Sequence, residues 1–311
     1  MGIACIFCIL WLVSQATART FTVINNCSFT IWPAIYTGSG SDKPDYDTGW
    51  KAAAGSSVSF TVPDDWSSGR IWGRSDCNFT ESTTTGTCVS ASCSGGLQCV
   101  APGSTPATLA EWTLSAGSVD YYDVSLVDGF NLPLAITNNV GCSEASCKVD
   151  LDATCPSALV GPTNSTGGVL GCKSACDANV GGDYANSPDC CTGSYGTAAT
   201  CPSSGVSYYS FFKDNCPDAY AYAYDESSGT ALWTCDASLN ADYTLTFCPA
   251  LGKTTASVSG SSGVPSKTSV ATTTSVPSAT STAKSTSTSL GPPKCALKPP
   301  SDKQAVFALS W

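Results

Sequence analysis

The chain contains no histidine, so any acid–base chemistry must fall to its carboxylates. Twenty-four Asp and Glu stand against 14 Lys and Arg, for a formal net charge of −10. Ser-His-Asp and Cys-His nucleophiles are excluded, and most catalytic zinc sites with them. Carboxylates alone can still cleave a glycosidic bond, which needs one carboxyl held protonated and another ionised. Glu111 has surroundings that suit the protonated role. It lies within a β-patterned run between Leu109 and Trp112-Thr113-Leu114, where apolar and aromatic neighbours raise a carboxyl pKa by desolvation. Asp123 and Asp128 flank the next β-patterned run, so both could face one concave surface. The acidic balance argues against nucleic acid as a partner.

The other reactive residue type is cysteine. Nineteen of them are too many for reduced cytosolic thiols and indicate an oxidising compartment. Ile3 to Val13 is an apolar run too short to span a bilayer, and the small-x-small site Ala16-Thr17-Ala18 follows it. Residues 1–18 therefore read as a secretory signal, which removes Cys5 and Cys8 and starts the mature chain near Arg19. Cys295 lies in the tail, which leaves 16 cysteines in the body, enough for eight disulfides. Cys190-Cys191 and the Cys172-x-x-x-Cys176 spacing raise the question of zinc. No paired C-x-x-C sequence and no histidine accompany them, so neither a metal nor a cofactor is expected.

The elements that must position these residues read as strands. Phe21-Ile24, Phe29-Trp32, Val58-Val62, Tyr121-Val127, Leu132-Thr137, Tyr220-Tyr224 and Tyr243-Phe247 are rich in β-branched and aromatic residues with period-2 alternation. Asn25-Asn26, Pro63-Asp64, Asp128-Gly129 and Ser228-Gly229 supply turns between them. One short helix is expected over Tyr208 to Asn215. This pattern predicts an all-β fold of antiparallel strands, a sandwich or barrel. About 149–216 the β runs thin out and cysteine, Gly and Asp dominate, which reads as a loop-rich lobe organised by cross-links. After Cys248-Pro249 the composition changes again. In residues 251–293, 22 of 43 are Ser or Thr and none is acidic, as in a disordered or O-glycosylated stalk. The body, residues 20–250, carries net −16 and residues 251–311 carry +5. The chain end is too short and too interrupted for a lipid-anchor signal, so an unanchored secreted protein is expected.

Phe21-Thr22-Val23-Ile24-Asn25-Asn26-Cys27, Arg70-Ile71-Trp72-Gly73-Arg74, Thr108-Leu109-Ala110-Glu111-Trp112 and Tyr122 to Asn131 together resemble the plant thaumatin-like (pathogenesis-related group 5) proteins. Cys190-Cys191, Ser210-Phe211-Phe212-Lys213, Cys216-Pro217-Asp218-Ala219-Tyr220 and Phe247-Cys248-Pro249 extend the resemblance over about residues 20–250. It implies a flattened β-sandwich in the domain 19–250, with the disulfide-rich lobe beside it and an acidic cleft between. It also implies the pairs Cys27–Cys248, Cys77–Cys88, Cys93–Cys99, Cys142–Cys235, Cys147–Cys216, Cys155–Cys172, Cys176–Cys190 and Cys191–Cys201. The family's cleft residues map onto Arg70, Glu111, Asp123, Asp128 and Asp225, with Glu111 the general acid and Asp123 or Asp128 the base or nucleophile if the cleft hydrolyses. The implied role is defence in the apoplast or cell wall, by a monomer that binds fungal-wall β-1,3-glucan or another wall polysaccharide. A fungal membrane or a basic protein is a further implied partner. An endo-β-1,3-glucanase and a wall-tethered structural protein are the alternatives. Two departures stand out. The family's Cys-x-Thr-Gly-Asp-Cys is here Cys88-Val89-Ser90-Ala91-Ser92-Cys93, and a Thr-rich insertion, Ser82 to Thr85, precedes it. Trp112, Tyr121, Tyr220, Tyr222 and Tyr224 could stack on sugars. N-glycosylation sequons occur at Asn26, Asn78 and Asn164, the last two being the expected sites.

Overall fold

The computed structural model describes residues 18–79 and 86–250. The signal segment up to Thr17, the Ser82–Thr85 insertion, the Ser/Thr stalk and Cys295 lie outside the described residues. The described residues form eleven strands: β1 (Ala18–Asn25), β2 (Trp32–Thr37), β3 (Ser57–Pro63), β4 (Gly69–Cys77), β5 (Cys88–Ser90), β6 (Leu109–Thr113), β7 (Val119–Ser125), β8 (Leu134–Asn138), β9 (Ala145–Cys147), β10 (Trp233–Asp236) and β11 (Tyr243–Phe247). One sheet runs β3-β1-β11-β8-β9 and the other β10-β7-β6-β4-β2, with β5 paired to β4. The pairs are antiparallel except β1 with β11, where the first and last strands run parallel. The only α-helix among the described residues is α1 (Tyr209–Asn215), too short to cross a membrane. The expected all-β architecture is the one observed.

Alternation explains the first sheet. Arg19, Phe21, Val23 and Asn25 of β1 point inward while Thr20 and the residues between them lean to solvent. Phe21 meets Trp112 at 5.0 Å and Trp66 at 5.7 Å between ring centroids, both edge-on, and Tyr243 closes the same cluster. Arg19, where the mature chain is expected to begin, is buried with its charge matched. Its Nη1 donates to Asp120 Oδ2 at 2.7 Å and its Nε to Asp64 Oδ1 at 2.5 Å. Asp120 also accepts from the Tyr243 hydroxyl and the Ser115 amide, so a buried ion pair is fully hydrogen-bonded.

The second sheet is covered on both faces. Ile71, Ala110, Trp112 and Val124 face the sandwich core. On the opposite face Trp72 and Leu109 pack with Ala34 and Ala91 in a second cluster. The altered Cys88–Cys93 segment forms part of this cover. Ala91 accepts a hydrogen bond from Trp72 Nε1 at 3.0 Å, and its φ is +55°, a conformation that favours glycine. Arg74 spends its guanidinium on the carbonyls of Trp32, Gly96 and Leu97, and burial pushes its pKa down to about 10.

Two expected strands differ. Phe29-Thr30 precede β2 and are not part of it, with Ile31 making a single bridge to Ala52. Tyr220–Tyr224 is not a strand: Tyr220 bridges once to Ser125 and the chain then turns into a 3-10 helix, Asp225–Ser228. The Asp225 carboxylate accepts the Ala221 amide at 3.0 Å, which folds the segment back on itself. Conversely β10 is too short and too polar on one side to be read from periodicity.

The lobe contains short 3-10 turns and α1. Among the described residues eight disulfides are present: Cys27–Cys248, Cys77–Cys88, Cys93–Cys99, Cys142–Cys235, Cys147–Cys216, Cys155–Cys172, Cys176–Cys190 and Cys191–Cys201.

Candidate functional site

Strand register builds the site. Arg70 on β4 pairs with Glu111 on β6, and Glu111 pairs with Asp123 on β7. Directly opposed residues on adjacent strands have Cβ atoms about 4.5–5.5 Å apart, so the three side chains form one row across the sheet. The row lies on the face away from the sandwich core, one step along from Trp72 and Leu109. Asp123 is thus inside β7 and does not flank it.

Because this face is covered, the row is buried. Glu111 is 5% exposed and Asp123 1%. Arg70 Nε lies 3.1 Å from Glu111 Oε1 as an ion pair, but Oε1 receives no aligned hydrogen bond, and neither does Asp123 Oδ1. Desolvation raises the Glu111 pKa against the opposing pull of Arg70. Asp123 is pushed up further, by desolvation first and then by the Glu111 charge. Two carboxylates beside one guanidinium cannot both ionise cheaply in a low-dielectric site, so the row binds a proton more readily than free carboxylates do.

Asp128 follows β7 in the Asp128-Gly129 turn and is half-buried. Desolvation and the Glu111 charge lift its pKa to about 7, against Arg70. Gly129 is required there: its φ is +88°, and a Cβ would lie 2.7 Å from both the Cys172 carbonyl and Pro106. The turn is therefore wedged between the sandwich and the lobe, which aims Asp128 beside the lobe. A cavity of about 430 Å³ opens there, lined by Asp128, Asp177, Tyr184, Val206, Phe212 and Tyr222.

Asp225 plays a different part. Its carboxylate accepts the Tyr209 hydroxyl at 2.8 Å and the Ala221 amide at 3.0 Å, and pairs with Lys213 Nζ at 3.0 Å. With these partners and no exposed surface, it ties α1 to the 221–225 segment. The structure therefore brings Arg70, Glu111 and Asp123 into contact, places Asp128 within their electrostatic reach, and sets Asp225 behind them as an anchor.

Two acidic residues were missed. Glu226 is half-buried, takes the Tyr220 hydroxyl at 3.3 Å, and adds its charge to those that raise Asp123. Asp177 takes the Thr105 hydroxyl at 2.5 Å and acts on Asp128. The tandem Asp225-Glu226 was the one signal in the sequence that could have flagged Glu226. Of the stacking candidates, Trp112 belongs to the core and Tyr220 and Tyr222 are buried, whereas Tyr121 and Tyr224 remain half-exposed. Among the described residues no group of three or more Cys, Asp or Glu is arranged to hold a metal ion.

Such a site can offer hydroxyl donors from protonated carboxyls alongside carboxylate acceptors, a mixture suited to polyhydroxylated ligands. The comparisons with known proteins agree on the scaffold. The Thaumatin family model matches residues 25–249. Pathogenesis-related thaumatin-like protein 3.5 of Cryptomeria japonica is 45% identical over 239 residues, covering 76% of this chain and 92% of its own. Pathogenesis-related protein 5 of Arabidopsis thaliana is 42% identical over 236 residues, covering 75% and 91%. A protein of Prunus avium named glucan endo-1,3-beta-glucosidase is 41% identical over 241 residues, covering 75% and 92%. Sandwich, disulfide framework and these matches lead to one assignment: the chain belongs to the thaumatin family.

Proposed function

We propose that this is a secreted defence protein, acting in the apoplast or cell wall, that binds β-1,3-glucan along its acidic cleft without efficient turnover. In this reading residues 1–18 are removed as a signal, 19–250 form the binding domain, and 251–311 serve as a stalk. The observation that carries it is the division of the carboxyl groups. Glu111 and Asp123 are buried in the sheet, while Asp128 and Glu226, also raised in pKa, are half-buried and nearer the surface. Buried carboxyls whose ionisation is disfavoured shape the cleft; the outer pair hydrogen-bonds sugar hydroxyls. The name of the Prunus avium relative supports β-1,3-glucan as the polymer.

Hydrolysis is the second reading, favoured by the direct opposition of Glu111 and Asp123. There Glu111 is the general acid, and Asp123 or Asp128 the base or nucleophile. Burial weighs against it, because an Asp123 that is 1% exposed cannot reach an anomeric carbon unless the cleft opens. A third role, wall tethering through residues 251–311, is separable by deleting them.

Sedimentation with insoluble β-1,3-glucan, run beside reducing-sugar release from the linear polymer, separates these. Binding that persists without sugar release and is lost in Asp128→Asn/Glu226→Gln supports the proposal. Undiminished binding by that double variant overturns it, and sugar release abolished by Glu111→Gln establishes the enzyme instead.

A further inference from the structure

The three sequons are treated differently by the fold. Asn26 donates through Nδ2 to the Cys248 carbonyl at 2.9 Å, so a sugar on that nitrogen would cost a hydrogen bond beside the Cys27–Cys248 bridge. The Asn78 sequon runs into residues outside those described. Asn164 sits at the tip of a loop closed by the Thr163–Val169 bridge. Three donors converge on one atom of its amide: Thr166 N at 3.0 Å, Thr166 Oγ1 at 2.8 Å and Gly168 N at 2.8 Å. Only the oxygen can accept them, so the nitrogen, the atom a glycan would occupy, is left outside this network. Gly168 keeps the nitrogen clear, since a Cβ there would lie 2.9 Å from it.

The same loop borders an open groove of about 430 Å³ that also contains Phe29, Trp32, Leu170, Ser75 and Asp76. Phe29 is 46% exposed, and Trp32, half-buried, meets Phe79 edge-on at 6.4 Å. An exposed Phe29 and a half-buried Trp32 in a concave site, beside hydroxyl and carboxylate acceptors, match the chemistry of a pyranose. Its C–H face packs on a ring while its hydroxyls find polar partners.

We propose that Asn164 carries an N-linked glycan whose core sugars lie in this groove against Phe29 and Trp32. Covalent attachment makes the contact intramolecular, so weak stacking suffices to hold it. The inference rests on the secretory reading, since the sugar is added during export.

The test is to express the full chain in a eukaryotic secretory host and map glycopeptides by mass spectrometry. Hydroxyl-radical labelling of Phe29 and Trp32 then reports whether the groove is covered. The expected result is an occupied Asn164 and a bare Asn26. Labelling of Phe29 and Trp32 rises severalfold in Asn164→Gln, in Thr166→Ala, and in native protein deglycosylated after folding. The last arm holds even where a variant folds poorly. A secreted chain with a bare Asn164, or a glycan whose removal leaves Phe29 and Trp32 labelling unchanged, overturns the inference alone. A chain retained in the cell and unmodified overturns the secretory reading with it.

Discussion

In the sandwich, order comes from aromatic and β-branched side chains that fill one face of each strand, with Phe21 and Trp112 touching each other and each touching Trp66 and Tyr243. Between residues 149 and 216 there is little comparable core. Three bridges, Cys155–Cys172, Cys176–Cys190 and Cys191–Cys201, close loops of 17, 14 and 10 residues there. The contrast teaches where each kind of cross-link acts. Short bridges order chain that could not otherwise repay its conformational entropy. The long bridge, Cys27–Cys248, spans 221 residues and fastens the neighbouring ends of β1 and β11, already paired through their backbones. The candidate site reaches from one region to the other: its row belongs to the sandwich, and Asp128 borders a cavity shared with Asp177, Tyr184 and Val206.

Removing the long bridge, as Cys27→Ala/Cys248→Ala, is the most severe way to break this contrast. The chain-entropy relation gives a loss of about 5 kcal/mol, seen as a lower midpoint for the whole cooperative denaturant transition. Cys191→Ala/Cys201→Ala is expected to cost about 3 kcal/mol. Here the loss is local: amide exchange speeds up around residues 176–206 while β1, β6, β7 and β11 keep their protection. Equal deprotection of both regions would show that lobe and sandwich form one cooperative unit.

Acid should strengthen both regions. Burial lifts Asp128 at the junction to about 7 and Asp152 in the lobe to about 8, and raises Glu111 and Asp123 in the sheet. The native state therefore binds more protons than the unfolded chain between the unfolded carboxyl range and these raised values. Stability falls as pH rises through that window and is greatest on its acid side, near about pH 4. Thermal melts across pH 4 to 8 check the sign, and Asp123→Asn should flatten the slope by removing one raised group. The smallest effect is expected at Ala91, whose left-handed φ of +55° costs on the order of 1 kcal/mol. Ala91→Gly should raise stability by up to about that amount, offset in part by the added freedom of the unfolded chain.

Legibility followed exposure. Phe21–Ile24, Val58–Val62 and Tyr243–Phe247 were readable because one face meets the core and the other meets water, so the sequence alternates. Tyr220–Tyr224 alternates equally well yet turns, because a hydrogen bond from the Ala221 amide to Asp225 outweighs pairing available at a single bridge. The site residues Arg70, Glu111 and Asp123 were named through a resemblance. Their register, and the neighbourhood of Glu226 and Asp177, needed the packed chain.

By itself the sequence determined an all-β chemistry without histidine, a body rich in acid, and enough cysteines for eight cross-links. Those properties are compositional or periodic, and each can be read from a residue and its near neighbours. Only the tertiary structure decided which carboxylates are sealed and which are open. Asp123 and Asp128 are five positions apart and of the same type, yet one is closed within a doubly covered sheet and the other sits at a half-open turn. That difference comes from segments distant in the chain that cover the outer face, because desolvation depends on what packs against a group and not on its sequence neighbours.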